Sequence, residues 1–374
     1  MTSVLSTPAR LTDEVFRPGG TFTVGAEEEL ILVDPAGRLA PDDGELLDRI
    51  TRAAPADAGM VSRELFAAEA EFATAVCTDA ATIADHLRTF RSAVHAAGGN
   101  GLAVGVHPDA PFGDAALSEG SRYQLIGDSL AGLLRTPTAA FQVHVGLPDA
   151  DQAVVAYRGI RHRLAVLQAL ASGSPFWHGR DSGLASARWA VINTYPRGAI
   201  PPVVRSWEEY AALVDLVVTT AEVPDYTHVW WDARLQPRLG TLEVRVMDTQ
   251  PSLASAAGLA ALVQGAVRHA VQEPVAFDVP EAVLAENSFR VARHGLETSI
   301  ADVDGTLRPV RELAARMLTE ARNVPRADGL DGALEGVEKL LADEPAYCRQ
   351  RRLHADGGMP AVLADLLART ADSR

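Results

Sequence analysis

The sequence predicts an α+β chain built on a largely antiparallel sheet, with one polar, chemistry-bearing face and helices behind the other. Three observations lead there. Strand-like and helix-like segments are interspersed without a regular βαβ rhythm. At least three strand segments place charge or histidine on one face and apolar residues on the opposite one. The last third of the 374-residue chain reads as mostly helical.

Taken in order, residues 1–20 are polar, end in "RPGG" and read as a flexible N-terminal segment, leaving 21–374 as one domain. "TFTVGAEEELILVD" alternates as a strand closed by the turn "DPAGR", and "EFATAVCT" is a second strand. Asp79 then caps a helix whose Ile83, Leu87, Phe90 and Val94 recur at helical spacing until Gly98 and Gly99 stop it. "GLAVGVHP" is a short buried strand. "AAFQVHVGLPD" follows, with Phe141, Val143 and Val145 on one face and Gln142 and His144 on the other. A long helix is expected over 152–172, then the irregular "SGSPFWHGRDSGLASAR". Ser206 and Glu209 form a capping box ahead of "WEEYAALVDLVVTTA". The strand "GTLEVRVMDT" places Thr241, Glu243, Arg245 and Met247 on one face, and an Ala/Leu-rich helix spans 253–271.

Composition excludes several classes. With 47% hydrophobic residues the chain buries a substantial core. Lys and Arg total 34 against 49 Asp and Glu, a net charge of −15, which disfavours nucleic acid and anionic membrane as partners. No apolar run is long enough to span a membrane or act as a leader. Two cysteines without CxxC spacing argue against a disulfide framework or structural zinc and fit a reducing cytoplasm. The single lysine, Lys339, does not sit in a phosphate loop or a Schiff-base setting, so Walker-type nucleotide binding and PLP chemistry are excluded. The chain has no GxGxxG or nucleophile elbow either.

What remains is carboxylates and arginines. Glu27 and Glu29 share a strand face, while Glu28 points the other way toward solvent or a supporting partner. Two convergent carboxylates either share a proton or bind a hard cation such as Mg²⁺ or Mn²⁺, although in isolation a solvated strand face is the plainer explanation. Glu243 beside Arg245 is a cross-strand ion pair, or a metal carboxylate with an arginine for developing phosphoryl charge. His144 is a structural hydrogen-bonder or a ligand. Glu64 and Glu71, with Glu69 between them, are an acidic helix surface or further ligands. Arg180, Arg188, Arg197 and Arg234 fall in loop-like, Gly-rich surroundings suited to clamping carboxylate or phosphate.

The ordered stretches "VGAEEELILVD", "ELFAAEAEFATAVCT", "GVHPDAPF", "QVHVGLPD", "SGSPFWHGRDSGLASAR", "YPRGAIPP", "WDARLQP", "GTLEVRVMDTQ", "ENSFRVARHGL" and "CRQRR", from about residue 22 to 352, resemble the carboxylate-amine ligases of the glutamate–cysteine ligase type 2 group. The resemblance implies a glutamine-synthetase-like or glutamate–cysteine ligase catalytic fold, a curved antiparallel sheet holding Mg²⁺ (or Mn²⁺) and ATP. It implies ATP-dependent amide formation through an acyl phosphate, with glutamate–cysteine ligase-type activity giving γ-glutamylcysteine or a related γ-glutamyl amide. By motif, Glu27, Glu29, Glu64, Glu71, His144 and Glu243 match metal ligands. Arg245 with Glu243 matches the catalytic phosphoryl site, and Arg188 and Arg234 substrate contacts. Family analogy adds a homodimer or higher homo-oligomer acting on small-molecule acids and amines. Gln142 stands where many relatives carry histidine, and His178 where they carry glutamine, which bears on ligation and specificity. A non-catalytic nucleotide- or amino-acid-binding relative and a metal-dependent amide hydrolase are the competing readings. The first would lack the principal ligands; the second would need no ATP.

Overall fold

The computed structural model describes residues 9–41, 44–113, 115–324 and 330–371. The strands are β1 (Val24–Val33), β2 (Gly59–Arg63), β3 (Glu69–Thr74), β4 (Asn100–Leu102), β5 (Ala140–Gly146), β6 (Phe176–Trp177), β7 (Arg180–Asp181), β8 (Gly198–Ala199), β9 (Trp230–Trp231), β10 (Ala233–Gln236), β11 (Thr241–Asp248), β12 (Ser299–Ala301) and β13 (Leu307–Pro309). The α-helices are α1 (Leu46–Ala53), α2 (Ala80–Ala96), α3 (Ser121–Leu130), α4 (Ala150–Arg161), α5 (Leu164–Ala171), α6 (Ala187–Ile192), α7 (Trp207–Thr220), α8 (Leu253–Gln272), α9 (Glu281–His294), α10 (Val310–Asn323), α11 (Leu330–Ala342) and α12 (Ala346–Ala371). None of these helices is long and apolar enough to cross a membrane.

The main sheet runs β10-β11-β5-β1-β3-β2, with β4 also paired to β1. Every pairing within it is antiparallel. Strand alternation decides what each face carries. Val24, Ala26, Leu30 and Leu32 of β1 join Phe141, Val143 and Val145 of β5 and Leu242 and Val244 of β11 in the main core. That core continues into α8, which is apolar on nearly all sides and buried accordingly. Glycines let its neighbours close in: a Cβ on Gly258 would lie 2.9 Å from the Val337 amide of α11. On the other face, Ile31 and Val33 pack with Val362, Leu363 and Leu366 of α12, so the polar character of that face is confined to its middle.

Several expectations need correction. Residues 9–20 are anchored: Leu11 and Phe16 are buried, Thr12 Oγ1 donates to Asp215 at 2.7 Å, and Phe16 packs edge-on to Trp207 at 5.7 Å. Residues 1–8 lie outside the described residues. The polarity of the segment hid its two apolar anchors. The helix expected over 152–172 is two, α4 and α5, separated by a tightened turn in which the Arg163 amide donates to the Ile160 carbonyl at 2.8 Å. Both halves have the same apolar character, so periodicity runs straight through the break.

Met247 does not share a face with Glu243. The β11–β5 register shifts between Val244 and Met247, so one extra residue enters β11 opposite Gln142. Past that bulge the faces exchange, and Met247 is fully buried in the main core. Glu28 does not reach solvent. It is fully buried on the apolar face, where Arg91 of α2 meets it with Nε 3.1 Å from Oε2. Arg91 also donates to the carbonyls of Gln250 and Pro251 at 2.6 and 2.8 Å, tying β1 to the start of α8.

Candidate active site

Antiparallel register builds the site row by row. Glu29 stands opposite Glu71 of β3, Glu27 opposite Gln142 of β5, His144 opposite Glu243 of β11, and Glu243 opposite Arg234 of β10. Residues far apart in sequence therefore meet on the middle of one sheet face. They open into a cleft of about 1120 Å³, part of it open to solvent. Its opposite wall is apolar, formed by Phe66, Ile126 and Leu130 with Leu65, Tyr195 and Trp230 packed against them. Glu64 is not on a helix surface; it lies in the turn between β2 and β3 and reaches the same cleft.

The six residues matched as ligands come together as two groups of three. One oxygen from each of Glu29, Glu64 and Glu71 lies within 4.8 Å of the others, and the same holds for one ligand atom each from Glu27, His144 and Glu243. Electrostatics divides the groups sharply. In the first, no guanidinium is found paired with a carboxylate among the described residues. Glu29 accepts from the Ala140 amide at 2.6 Å and from Gln142, Glu64 from the Leu65 amide at 2.9 Å, and Glu71 from Ser62 at 2.8 Å. Burial and then the neighbouring carboxylate raise all three: Glu29 to about 7, Glu64 upward, and Glu71 well above the usual range. Such a set holds protons or a hard divalent cation, and its all-oxygen composition fits Mg²⁺ or Mn²⁺.

The second group is already neutralised. Glu243 is fully buried and accepts from Arg234 Nε at 2.6 Å and Nη2 at 3.1 Å, from Gln236 and from Arg245. Against the cost of burial, Arg234, Arg245 and His144 hold it well below the usual carboxylate range. His144 Nε2 lies 3.2 Å from Glu27 Oε1, and its Nδ1 is 3.0 Å from Thr241 Oγ1. Burial pushes His144 down, but Glu27 and Glu243 outweigh it and the net direction is up. A cation fits this group in competition with Arg245.

Gln142 joins the two halves. Its amide nitrogen donates to Glu29 and its oxygen accepts from Arg245, so this departure from the family pattern supplies a bridge. His178 is not among the described residues that line the cleft; it stacks on Trp177 at 4.9 Å, and its Nδ1 lies 2.8 Å from the Ala110 carbonyl.

Two expected loop placements change. Arg188 and Arg234 are not on loops: the first is on α6 and the second on β10. Arg188 lines the cleft, donates to the Arg245 carbonyl at 3.1 Å and keeps Nε without a partner. Arg234 spends its guanidinium on Glu243 and on the Thr227 and Val229 carbonyls at 3.1 and 2.8 Å, which makes it a positioning residue for Glu243. Arg180 lies on β7, paired with Trp177, and Arg197 stacks on Trp230 at 4.9 Å.

Sequence reading named Glu69 only as lying between Glu64 and Glu71, and passed over Asp232. Glu69 accepts from the Phe66 and Thr138 amides at 3.2 and 2.7 Å, and burial lifts it well above the usual range. Its spacing of two from Glu71 was the available signal. Asp232 is buried in the cleft wall, two residues before Arg234.

A carboxylate-lined antiparallel sheet facing a cleft, with arginine beside it and helices behind, defines the fold class of the glutamate–cysteine ligases. A solved glutamate–cysteine ligase from Francisella tularensis in complex with AMP superposes with a TM-score of 0.69 at 14% identity, covering 96% of this chain and 89% of that one. A bifunctional glutathione synthetase from Pasteurella multocida gives 0.66 at 14%, covering 96% and 53%. The model of Glutamate-cysteine ligase family 2 (GCS2) matches residues 23–362, and the chain belongs to that family. A relative from Rubrobacter xylanophilus, named "Putative glutamate--cysteine ligase 2-1", is 33% identical over 90% of this chain and 91% of its own length.

Proposed function

We propose that the protein is an ATP-dependent carboxylate-amine ligase that activates a carboxylate as an acyl phosphate and joins it to an amine, with L-glutamate and L-cysteine as the first pair to test. The observation that carries this reading is the pair of carboxylate groups side by side in one cleft, one crowded and open to protons or a cation, the other clamped by arginine. The family, and the relatives named for glutamate–cysteine ligation, support the reaction class; a fold neighbour bound to AMP supports a nucleotide.

A carboxylate and an amine do not condense in water, because the carboxylate is a poor electrophile and carries no leaving group. Phosphorylation supplies one. In this reading Glu29, Glu64 and Glu71 would hold one Mg²⁺, and Glu27, His144 and Glu243 could hold a second in competition with Arg245; the chemistry so supplied would be neutralisation of the nucleotide phosphates, which would otherwise repel the substrate carboxylate. Arg245, held by Glu243 and Gln142, presents a guanidinium to charge developing on the transferred phosphoryl group. Arg188 offers its free Nε to a substrate carboxylate. The carboxylate-lined sheet takes the place of a lysine-bearing phosphate loop, consistent with a chain whose single lysine is Lys339 on α11.

Arg245→Ala is the informative variant. Glu243 keeps Arg234 and Gln236, so the fold survives, while ADP formation falls by about 100- to 1000-fold. Near-normal turnover would overturn the role. Glu243→Ala is a poorer test, because it strands Arg234 and Arg245 beside an emptied site. Amide cleavage without nucleotide would favour the hydrolase reading instead.

A further inference from the structure

Within the cleft, carboxylates are committed almost without exception. Glu27 faces His144, Glu29 accepts from Ala140 and Gln142, Glu64 from Leu65, Glu69 from Phe66 and Thr138, and Glu71 from Ser62. Asp232 differs. It lines the same cleft and is only 8% exposed, yet its carboxylate makes no hydrogen bond or ion pair among the described residues. It also stands outside both candidate metal groups.

Its backbone, by contrast, is fixed on two sides. The Asp232 amide donates to the Ala199 carbonyl at 2.8 Å, and its carbonyl accepts from the Arg245 amide at 2.8 Å. The side chain is thus held at a set place next to the arginine assigned to phosphoryl charge. The charged groups acting on it are Arg188 of α6 and Arg245 of β11; β8, on its other side, presents Ala199 and no charge. Two further uncommitted polar atoms, Arg188 Nε and Tyr195 Oη, line the same cleft. The Asp232 carboxylate oxygens, unlike those two atoms, keep contact with the open cleft, where a ligand can reach them.

We propose that Asp232 is the proton acceptor for the amine substrate, taking a proton from its ammonium form so that the nitrogen lone pair is free to attack. This rests on the ligase reading given above. The ammonium gives one proton to the Asp232 carboxylate; the C–N bond forms as the carbonyl C–O bond to phosphate breaks. The second N–H proton leaves with the phosphate, and Asp232 returns its proton to solvent. Burial lifts Asp232 to about 6 while Arg188 and Arg245 oppose that rise, so it is ionised and receptive at neutral pH.

The test compares wild type with Asp232→Asn, using L-glutamate, ATP and Mg²⁺ with two nucleophiles. L-Cysteine brings an ammonium that must be deprotonated; hydroxylamine is unprotonated at neutral pH and reports acyl-phosphate formation as a hydroxamate. Asp232→Asn should keep hydroxamate formation within about threefold of wild type and lose ~100- to 10,000-fold in amide formation at pH 7. The lost rate should return by about tenfold per pH unit toward the ionisation of the amine itself. Equal loss with both nucleophiles, or a variant amide rate that stays flat with pH, overturns the assignment while leaving the ligase reading intact. If wild type forms neither product from L-glutamate or from a panel of amino and dicarboxylic acids, the ligase reading fails and this inference falls with it.

Discussion

At the scale of single residues, the three consecutive glutamates of β1 do three different jobs. Glu27 faces His144, Glu29 joins Glu64 and Glu71, and Glu28 turns away into the core to pair with Arg91. Each sits one residue from the next, so their separation is the work of strand alternation and of register with β5 and β3. Glu28→Ala would leave Arg91 as an uncompensated buried charge, and is expected to destabilise the fold by about 3–5 kcal/mol in chemical denaturation. The double variant Glu28→Leu with Arg91→Leu should recover much of that loss, since neither charge then remains unpaired. A wild-type midpoint for Glu28→Ala would refute the pairing. Gln142→Ala, by contrast, changes a side chain that lines the cleft. It unlinks Glu29 from Arg245, and the expected result is a drop in turnover of about tenfold or more with the melting temperature little changed.

At the scale of elements, β1, β3 and the turn before β3 crowd Glu29, Glu64 and Glu71 together, with no ion pair to a cationic side chain found for them among the described residues. Glu29 is raised to about 7, with Glu64 and Glu71 raised beside it. A carboxyl group raised in the fold binds its proton more tightly there than in the unfolded chain. Its contribution to stability is therefore fully present below the ordinary glutamate range and is lost as pH rises through about 7. Metal-free protein should melt at progressively lower temperature from pH 5 to pH 8, and Mg²⁺ or Mn²⁺ should restore most at pH 8 and least at pH 5. At a hundredfold excess over Kd the gain is about 2.7 kcal/mol. A metal-induced shift that is independent of pH would contradict the three-carboxylate site.

Elements also show what the sequence made legible. β1, β5 and β11 could be read because an apolar face alternates with a chemical one. The Asp79 and Ser206 caps could be read because each side chain serves a backbone amide three residues on, and both do so here. The bulge in β11 could not be, since one inserted residue leaves no trace in composition yet sends Met247 into the core. Nor could the placement of Arg234. Only the β10–β11 register reveals that its guanidinium is absorbed by Glu243. Asp232 was illegible for a related reason, because its importance lies in having no partner. On α8, Gly258→Ala would set a Cβ 2.9 Å from the Val337 amide, so a loss on the order of 1–3 kcal/mol is expected where an exposed helical glycine would gain from alanine.

At the scale of the whole molecule, a net charge of −15 coexists with a cleft that gathers acidic side chains. The fold tolerates that concentration by dividing the site, with Arg234, Arg245 and His144 neutralising the β11 side and the β1–β3 side left to protons or cations. In the proposed reaction the same division suits a nucleoside triphosphate and a substrate carboxylate, two anions that must be brought together. The most direct test of this account is a single reaction of the wild-type protein with ATP, Mg²⁺, L-glutamate and L-cysteine, following ADP and identifying products by mass spectrometry, and extended to other acids and amines. The account predicts ADP formed mole for mole with a new amide, only when acid, amine and divalent cation are all present. ADP without amide across every pair, or amide bonds cut with no nucleotide consumed, would contradict it.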